Sequence, residues 1–133
     1  MKQEDKELLL KDLSARLPYK CVYSASRGIT HWNKLILNID TITKLINNEY
    51  DEINPYLRPM SSMTEEERKE YEGFIIHREH VNAWGQEWDI DCFSFDTTPR
   101  LIDWLNAHHF DYRGLIPKGL AIAVTEENNP YKS

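Results

Sequence analysis

The chain of 133 residues predicts an α+β fold in a single small domain, with several helices and a small antiparallel sheet. Three observations carry this expectation. A leucine stripe at helical spacing lies near the N-terminus, two β-branched and aromatic segments are joined through Gly28, and two later segments open with helix-capping residues at Thr64 and Thr98.

Between Gln3 and Leu17, the residues Leu9, Leu10, Leu13 and Leu17 recur at steps of three and four among Glu, Asp and Lys, and Pro18 ends the helix this predicts. Residues 20–25 and 31–39 form the strand pair, and a connection through Ser26, Arg27 and Gly28 suits a hairpin in which Gly28 takes positive φ. The stretch 41–60 accommodates a short helix over Ile42, Leu45 and Ile46 and an extended segment at Ile53, Tyr56 and Leu57. Pro55 and Pro59 exclude a helix running through it. In SSMTEEER, Ser62 or Thr64 caps a helix, Glu65 or Glu67 closes a capping box three residues on, and the acidic first turn suits the helix dipole.

Beyond Gly73 the pattern fits either continued helix or strands near 74–77 and 89–95. Thr98 before Pro99 then starts a helix reaching about His109, with Leu101, Leu105 and His108 on one stripe and Ile102 and Trp104 widening it. LAIAV at 120–124 reads as a last buried strand joining the sheet. The globular domain is expected over 1–124, with 125–133 a polar tail.

The net charge is −6, from sixteen Lys and Arg against twenty-two Asp and Glu, so the field around the molecule repels phosphate backbones. Nucleic acid is therefore not an expected partner. The longest apolar run, LAIAV, is far short of the roughly twenty residues of a membrane span, so no membrane association is expected either. Cys21 and Cys92 belong to no C-x-x-C pair, and a reducing cytoplasm with two free thiols is favoured over a disulfide framework. No Gly-rich phosphate loop is present, and no cofactor is expected.

The residues of WLNAHHFDYRGLIPKGLAI, 104–122, raise the question of chemistry, because His108, His109, Asp111, Tyr112 and Arg113 stand within six positions. A histidine beside a carboxylate in a cleft makes an acid–base pair, and His109 with Asp111 or Asp103 supplies the residue types. The competing reading is structural. Adjacent helical residues point about 100° apart, so His108 and His109 do not share one metal in regular helix geometry. His108 then ends a helix half-buried, Asp111 to Gly114 is a turn, and Arg113 pairs with Asp111, Asp103 or another acid. His77 and His80, at i, i+3, make a zinc site on paper with Cys92 or Asp89, without any standard zinc framework around them. Four Trp, seven Tyr and four Phe exceed what so small a core needs, which leaves amphipathic aromatics at a rim or at an interface.

Three segments, LLLKDLSARLPYKC, PYLRPMSSMTEEE and DWLNAHHFDYRGLIPKGLAI, together resemble a family of small uncharacterised proteins of gut Bacteroides and relatives, sometimes in prophage or mobile-element contexts. The resemblance covers about half of the chain and implies a bacterial cytoplasmic setting with an accessory role. It assigns no reaction, cofactor or catalytic residue. The expected function is a non-enzymatic protein-interaction or regulatory module. The alternative is a small hydrolase-like or metal-dependent enzyme around His108, His109 and Asp111.

Overall fold

A computed structural model describes residues 1–76 and 97–131. Helix α1 (Gln3–Arg16) leads through a single 3₁₀ turn, Leu17–Tyr19, into strand β1 (Val22–Arg27). Pro18 sits inside that turn, where its fixed φ is tolerated and a further α-helical turn is not. The buried face of α1 is Leu9, Asp12, Leu13 and Arg16. Leu10 and Leu17 are only partly covered, so the helix is rotated from the all-leucine stripe to bring two charged residues inward.

Strands β1 and β2 (Thr30–Ile36) form the expected antiparallel hairpin, turning at Gly28 (φ 58°). A glycine at the first central position of a two-residue turn matches the right-handed twist of the flanking strands. Pairing shifts between Tyr23↔Leu35 and Ala25↔Trp32, so Ser24 faces both Asn33 and Lys34. Lys34 takes a left-handed φ of 56° at this bulge. Helix α2 (Ile39–Ile46) opens with a capping box: the Asn38 side chain accepts from the Thr41 N–H, and Thr41 Oγ1 accepts from the Asn38 N–H. Strand β3 (Glu52–Leu57) follows, with Pro55 paired opposite Tyr23. The mixed reading of 41–60 thus resolves into both elements, one after the other.

Helix α3 (Glu65–Ile76) is capped as its sequence predicts. The Glu67 N–H donates to Thr64 Oγ1 at 3.1 Å, and Glu67 Oε1 accepts from the Thr64 N–H at 3.0 Å. Helix α4 (Thr97–Ala107) begins at Thr97, so Thr98 lies inside it and is not its cap, and it stops short of His109. The readings placed on His77, His80, Asp89 and Cys92 fall outside the described residues.

The sheet has the order β2-β1-β3-β4 and is mostly antiparallel, as expected, with one parallel pair. Strand β4 (Ile122–Ala123) runs parallel to β3, with Tyr56↔Ile122 and Leu57↔Ala123. The chain reaches β4 through a long crossover and not through a hairpin, and such a crossover is what parallel pairing requires. β4 is also only partly buried. The fold is α+β, as predicted.

The main core lies between α1, α2 and the sheet, around Leu9, Leu13, Leu37, Leu45, Ile53, Leu57 and Leu115. A second cluster, Leu101, Leu105 and Phe110 with Trp104, Tyr71 and Phe74 against it, joins α3 to α4. No described helix is long and apolar enough to cross a membrane.

Candidate functional site

The stretch from Trp104 to Ile116 is built as a helix end, an added strand and a turn. The His108 ring lies over Trp104 with centroids 4.3 Å apart, and its Nδ1 sits 2.9 Å from the Trp104 carbonyl oxygen. A carbonyl only accepts, so Nδ1 carries the proton. The Trp104 indole N–H donates to Glu70 at 2.7 Å, and Phe110 stacks against both Trp104 and His108. His108 is therefore part of an aromatic stack closing the end of α4.

His109 takes a left-handed φ of 62°, which stops the helix and turns the chain toward β3. The Arg58 N–H donates to the His109 carbonyl at 2.7 Å, and the Asp111 N–H donates to the Arg58 carbonyl at 2.9 Å, so residues 109–111 extend the parallel pairing past the end of β3. The His109 ring stacks face to face on Tyr131, with centroids 3.7 Å apart and planes within 7°. Burial, with the Arg16, Arg58 and His108 charges behind it, lowers the His109 pKa to about 4, so the ring is neutral near pH 7. Its Nδ1 is buried without a hydrogen-bond partner among the described residues.

Asp111 does turn work of a wider span than expected. Its two carboxylate oxygens accept from the Leu115 N–H at 2.8 Å and the Ile116 N–H at 2.9 Å. Gly114 follows with a φ of 74°. Among the described residues, neither histidine shares a hydrogen bond with a carboxylate, so the sequence's acid–base set is adjacent in the chain but not assembled in space.

Arg113 finds its acid in neither Asp103 nor Asp111 but in Asp12, across 101 positions, at 3.0 Å. Asp12 is fully buried, and its other oxygen accepts from Arg16 Nε at 2.8 Å. Arg16, also fully buried, donates from Nη2 to the Phe110 carbonyl at 2.6 Å. Arg113 donates to the Tyr112 hydroxyl, which donates to Asn106 Oδ1, both at 2.9 Å. The result is a polar chain from α1 to α4 through the turn. Buried charges survive only when paired and hydrogen-bonded in this way. Nearby, Arg58 lies over the Phe110 ring at 4.3 Å and holds Glu67 with two hydrogen bonds, which keeps the Glu67 carboxyl down at about 2.

The segment after β4 is tied back by Tyr131. Its hydroxyl donates to the Tyr56 carbonyl at 2.7 Å, accepts from the Val22 N–H at 2.9 Å and lies 3.5 Å from Cys21 Sγ. Cys21 is a buried free thiol, and burial pushes its pKa up to about 11, so it is no nucleophile near neutrality.

A cleft of about 430 Å³ lies between β2 and α2, against the main core. Tyr23, Trp32 and Tyr50 line it, with Asp40, Glu49, Arg27 and Lys44 among the polar groups. Trp32 and Tyr50 meet edge-on, centroids 5.9 Å apart and planes at 78°. Thr41 Oγ1 donates to the Tyr23 hydroxyl at 3.1 Å, which fixes Tyr23 against the start of α2. Leu35 and Ile36, both exposed, also line the cleft.

Sequence reasoning did not reach Asp12, Arg16, Tyr131 or the cleft. For the first two a signal existed: 12 and 16 fall beside 9 and 13 on one helical face, at i, i+4 with opposite charge. Nothing local marks Tyr131 or the cleft, because their neighbours come from distant segments. Among the described residues no cluster of three or more His, Cys, Asp or Glu side chains is arranged to hold a metal. No family model, no curated protein and no solved structure matches this chain.

Proposed function

We propose that the chain is a non-enzymatic protein-interaction or regulatory accessory module of the bacterial cytoplasm, in the prophage-like setting that the sequence resemblance implies, and that the β2–α2 face is its contact surface. The observation that supports this reading is the set of large apolar side chains left outside there: Leu35, Ile36, Ile39 and Ile46 are 39%, 58%, 71% and 51% exposed. Single exposed aliphatics are ordinary, but four on two consecutive elements, two of them lining an aromatic-floored cleft, are the composition of a surface that a partner covers. The enzymatic alternative around His108, His109 and Asp111 has less support, because each of those side chains is already engaged in stacking or turn formation.

Affinity capture from cells of the source organism tests the reading. The wild type is compared with an Ile36→Asp, Ile39→Asp variant whose circular dichroism is unchanged. A partner held by the wild type and lost from the variant is expected. Partners recovered equally by both would sink the assignment of this face. Zinc bound stoichiometrically to the purified protein, and lost on changing His77 or His80, would instead favour a metal-dependent reading.

A further inference from the structure

Three arginines of the described chain lie over aromatic rings: Arg16 and Arg113 over Tyr112, and Arg58 over Phe110. Among the described residues, no cation occupies the faces of Trp32, Tyr50 or Tyr23 in the same way. Yet these rings have the arrangement that receives one. Two planes at 78° form adjoining walls, and Tyr23, 4% exposed, is the third aromatic of the cleft. Ring faces carry negative quadrupole density, and perpendicular walls let one cation face two of them.

Charges of both signs surround the rings, Asp40 and Glu49 against Arg27 and Lys44. Tyr50 is pushed up by burial first, then by the Tyr23 hydroxyl and by the Asp40 and Glu49 carboxylates, so both acids act on Tyr50. Two cations also line the cleft. Lys44 is bound to Asp40 at 3.2 Å, with side chains 44% and 69% exposed, an exposed pair that a better-enclosed cation displaces at little cost. Arg27 is the other, at the strand end beside the turn. The cleft volume of about 430 Å³ exceeds that of one alkylammonium group and leaves room for its aliphatic stem and neighbouring backbone.

We infer that the Tyr23–Trp32–Tyr50 cleft receives a lysine-type alkylammonium side chain of the protein partner, its charge against the ring faces and the Asp40 and Glu49 carboxylates, its stem along Leu35 and Ile36. The inference rests on the reading of this face as an interaction surface and adds the chemistry of what the partner inserts.

The test is an NMR titration at constant ionic strength, read at the Trp32 indole N–H, which is assigned by its loss in Trp32→Phe. The probes are the peptide amide acetyl-Gly-Lys-Gly and its norleucine counterpart, which keeps the stem and lacks the charge. The lysine peptide is expected to shift the signal saturably and to bind roughly fivefold or more tightly than the norleucine peptide. Asp40→Asn with Glu49→Gln, both at the surface, is expected to bring that ratio toward one without altering the spectrum elsewhere. Equal binding of the two peptides, or no shift at Trp32, overturns the inference. Saturation by tetramethylammonium with none by the lysine peptide also overturns it, since the site then takes a free cation. If the lysine peptide fails while partner capture still depends on Ile36 and Ile39, only this inference falls. If the peptide binds and no partner depends on that face, the cation site stands and the interaction reading falls.

Discussion

Arg16 is fully buried and Ile29 is 97% exposed, the reverse of where their polarity alone would put them. Around Arg16 the chain brings Asp12, the Phe110 carbonyl and, through Asp12, Arg113, so the charge sits inside the protein paired through Nε and Nη2, with Nη1 left without a partner among the described residues. Around β2 and α2 it leaves Ile29, Leu35, Ile36 and Ile39 facing outward, beside rings that no cation covers among the described residues. The difference teaches that in this molecule burial follows the availability of partners more than the polarity of the side chain. One side has completed its contacts internally, and the other has kept apolar surface in reserve.

The largest expected effect comes from breaking the completed side. Arg16→Met leaves Asp12 buried with only the partly exposed Arg113, and should cost about 3–5 kcal/mol in urea denaturation. Adding Asp12→Leu should recover much of that loss, because the uncompensated charge is then gone. A double-mutant cycle that came out additive would mean that the pair is not a unit. Next, Asp111→Ala removes two charge-assisted hydrogen bonds from a side chain 7% exposed and should cost roughly 2–3 kcal/mol. Arg113→Ala and His108→Ala should each lower the melting temperature, by the equivalent of about 1–2 kcal/mol. Unaltered melting by both would count against their structural roles.

Acid separates two groups on the completed side. His109 has a folded pKa of about 4 against an ordinary 6.5, so between those values the unfolded chain holds a proton that the folded chain gives up. Stability therefore falls as pH drops from 6.5 toward 4. Glu67, held at about 2 from an ordinary 4.5 chiefly by Arg58, contributes fully above 4.5 and loses its contribution as pH falls toward 2. Melting curves from pH 7 to 3 should show both limbs, and His109→Gln should flatten only the upper one. The smallest effect belongs to the open side: Ile29→Asp should change stability by less than about 0.5 kcal/mol in the same urea assay, since that side chain is already in water.

Much of the fold was legible because its signals are local. Thr64 with Glu67 spells a capping box, and Gly28 supplies a turn that the strands on either side require. The short α2 and the extended β3 were both visible within 41–60, and only their succession was open. The direction of β4 was not legible, since two paired residues leave no periodicity from which to read a neighbour. The candidate site divides similarly. The helix end at His108 and the turn at Asp111 follow from spacing, whereas Arg113 meets Asp12 across 101 positions and no pattern near Arg113 says so. The aromatic surplus was countable, but which rings would gather at β2 and α2 depends on a hairpin bulge and on a cap.

The tyrosine at 131 sets an order of events for a chain made from its N-terminus. Val22 and Tyr56 emerge early, but the hydroxyl that bridges them is encoded 109 and 75 positions later. Arg16 likewise waits for Phe110, 94 positions on, at a synthesis rate of roughly 5–20 residues per second. For several seconds the growing chain therefore carries a desolvation-averse guanidinium and an unbridged strand end, with the closing residues still unmade. Completion of this fold waits on Phe110 and Tyr131, and contacts so distant in sequence also make its final step slow.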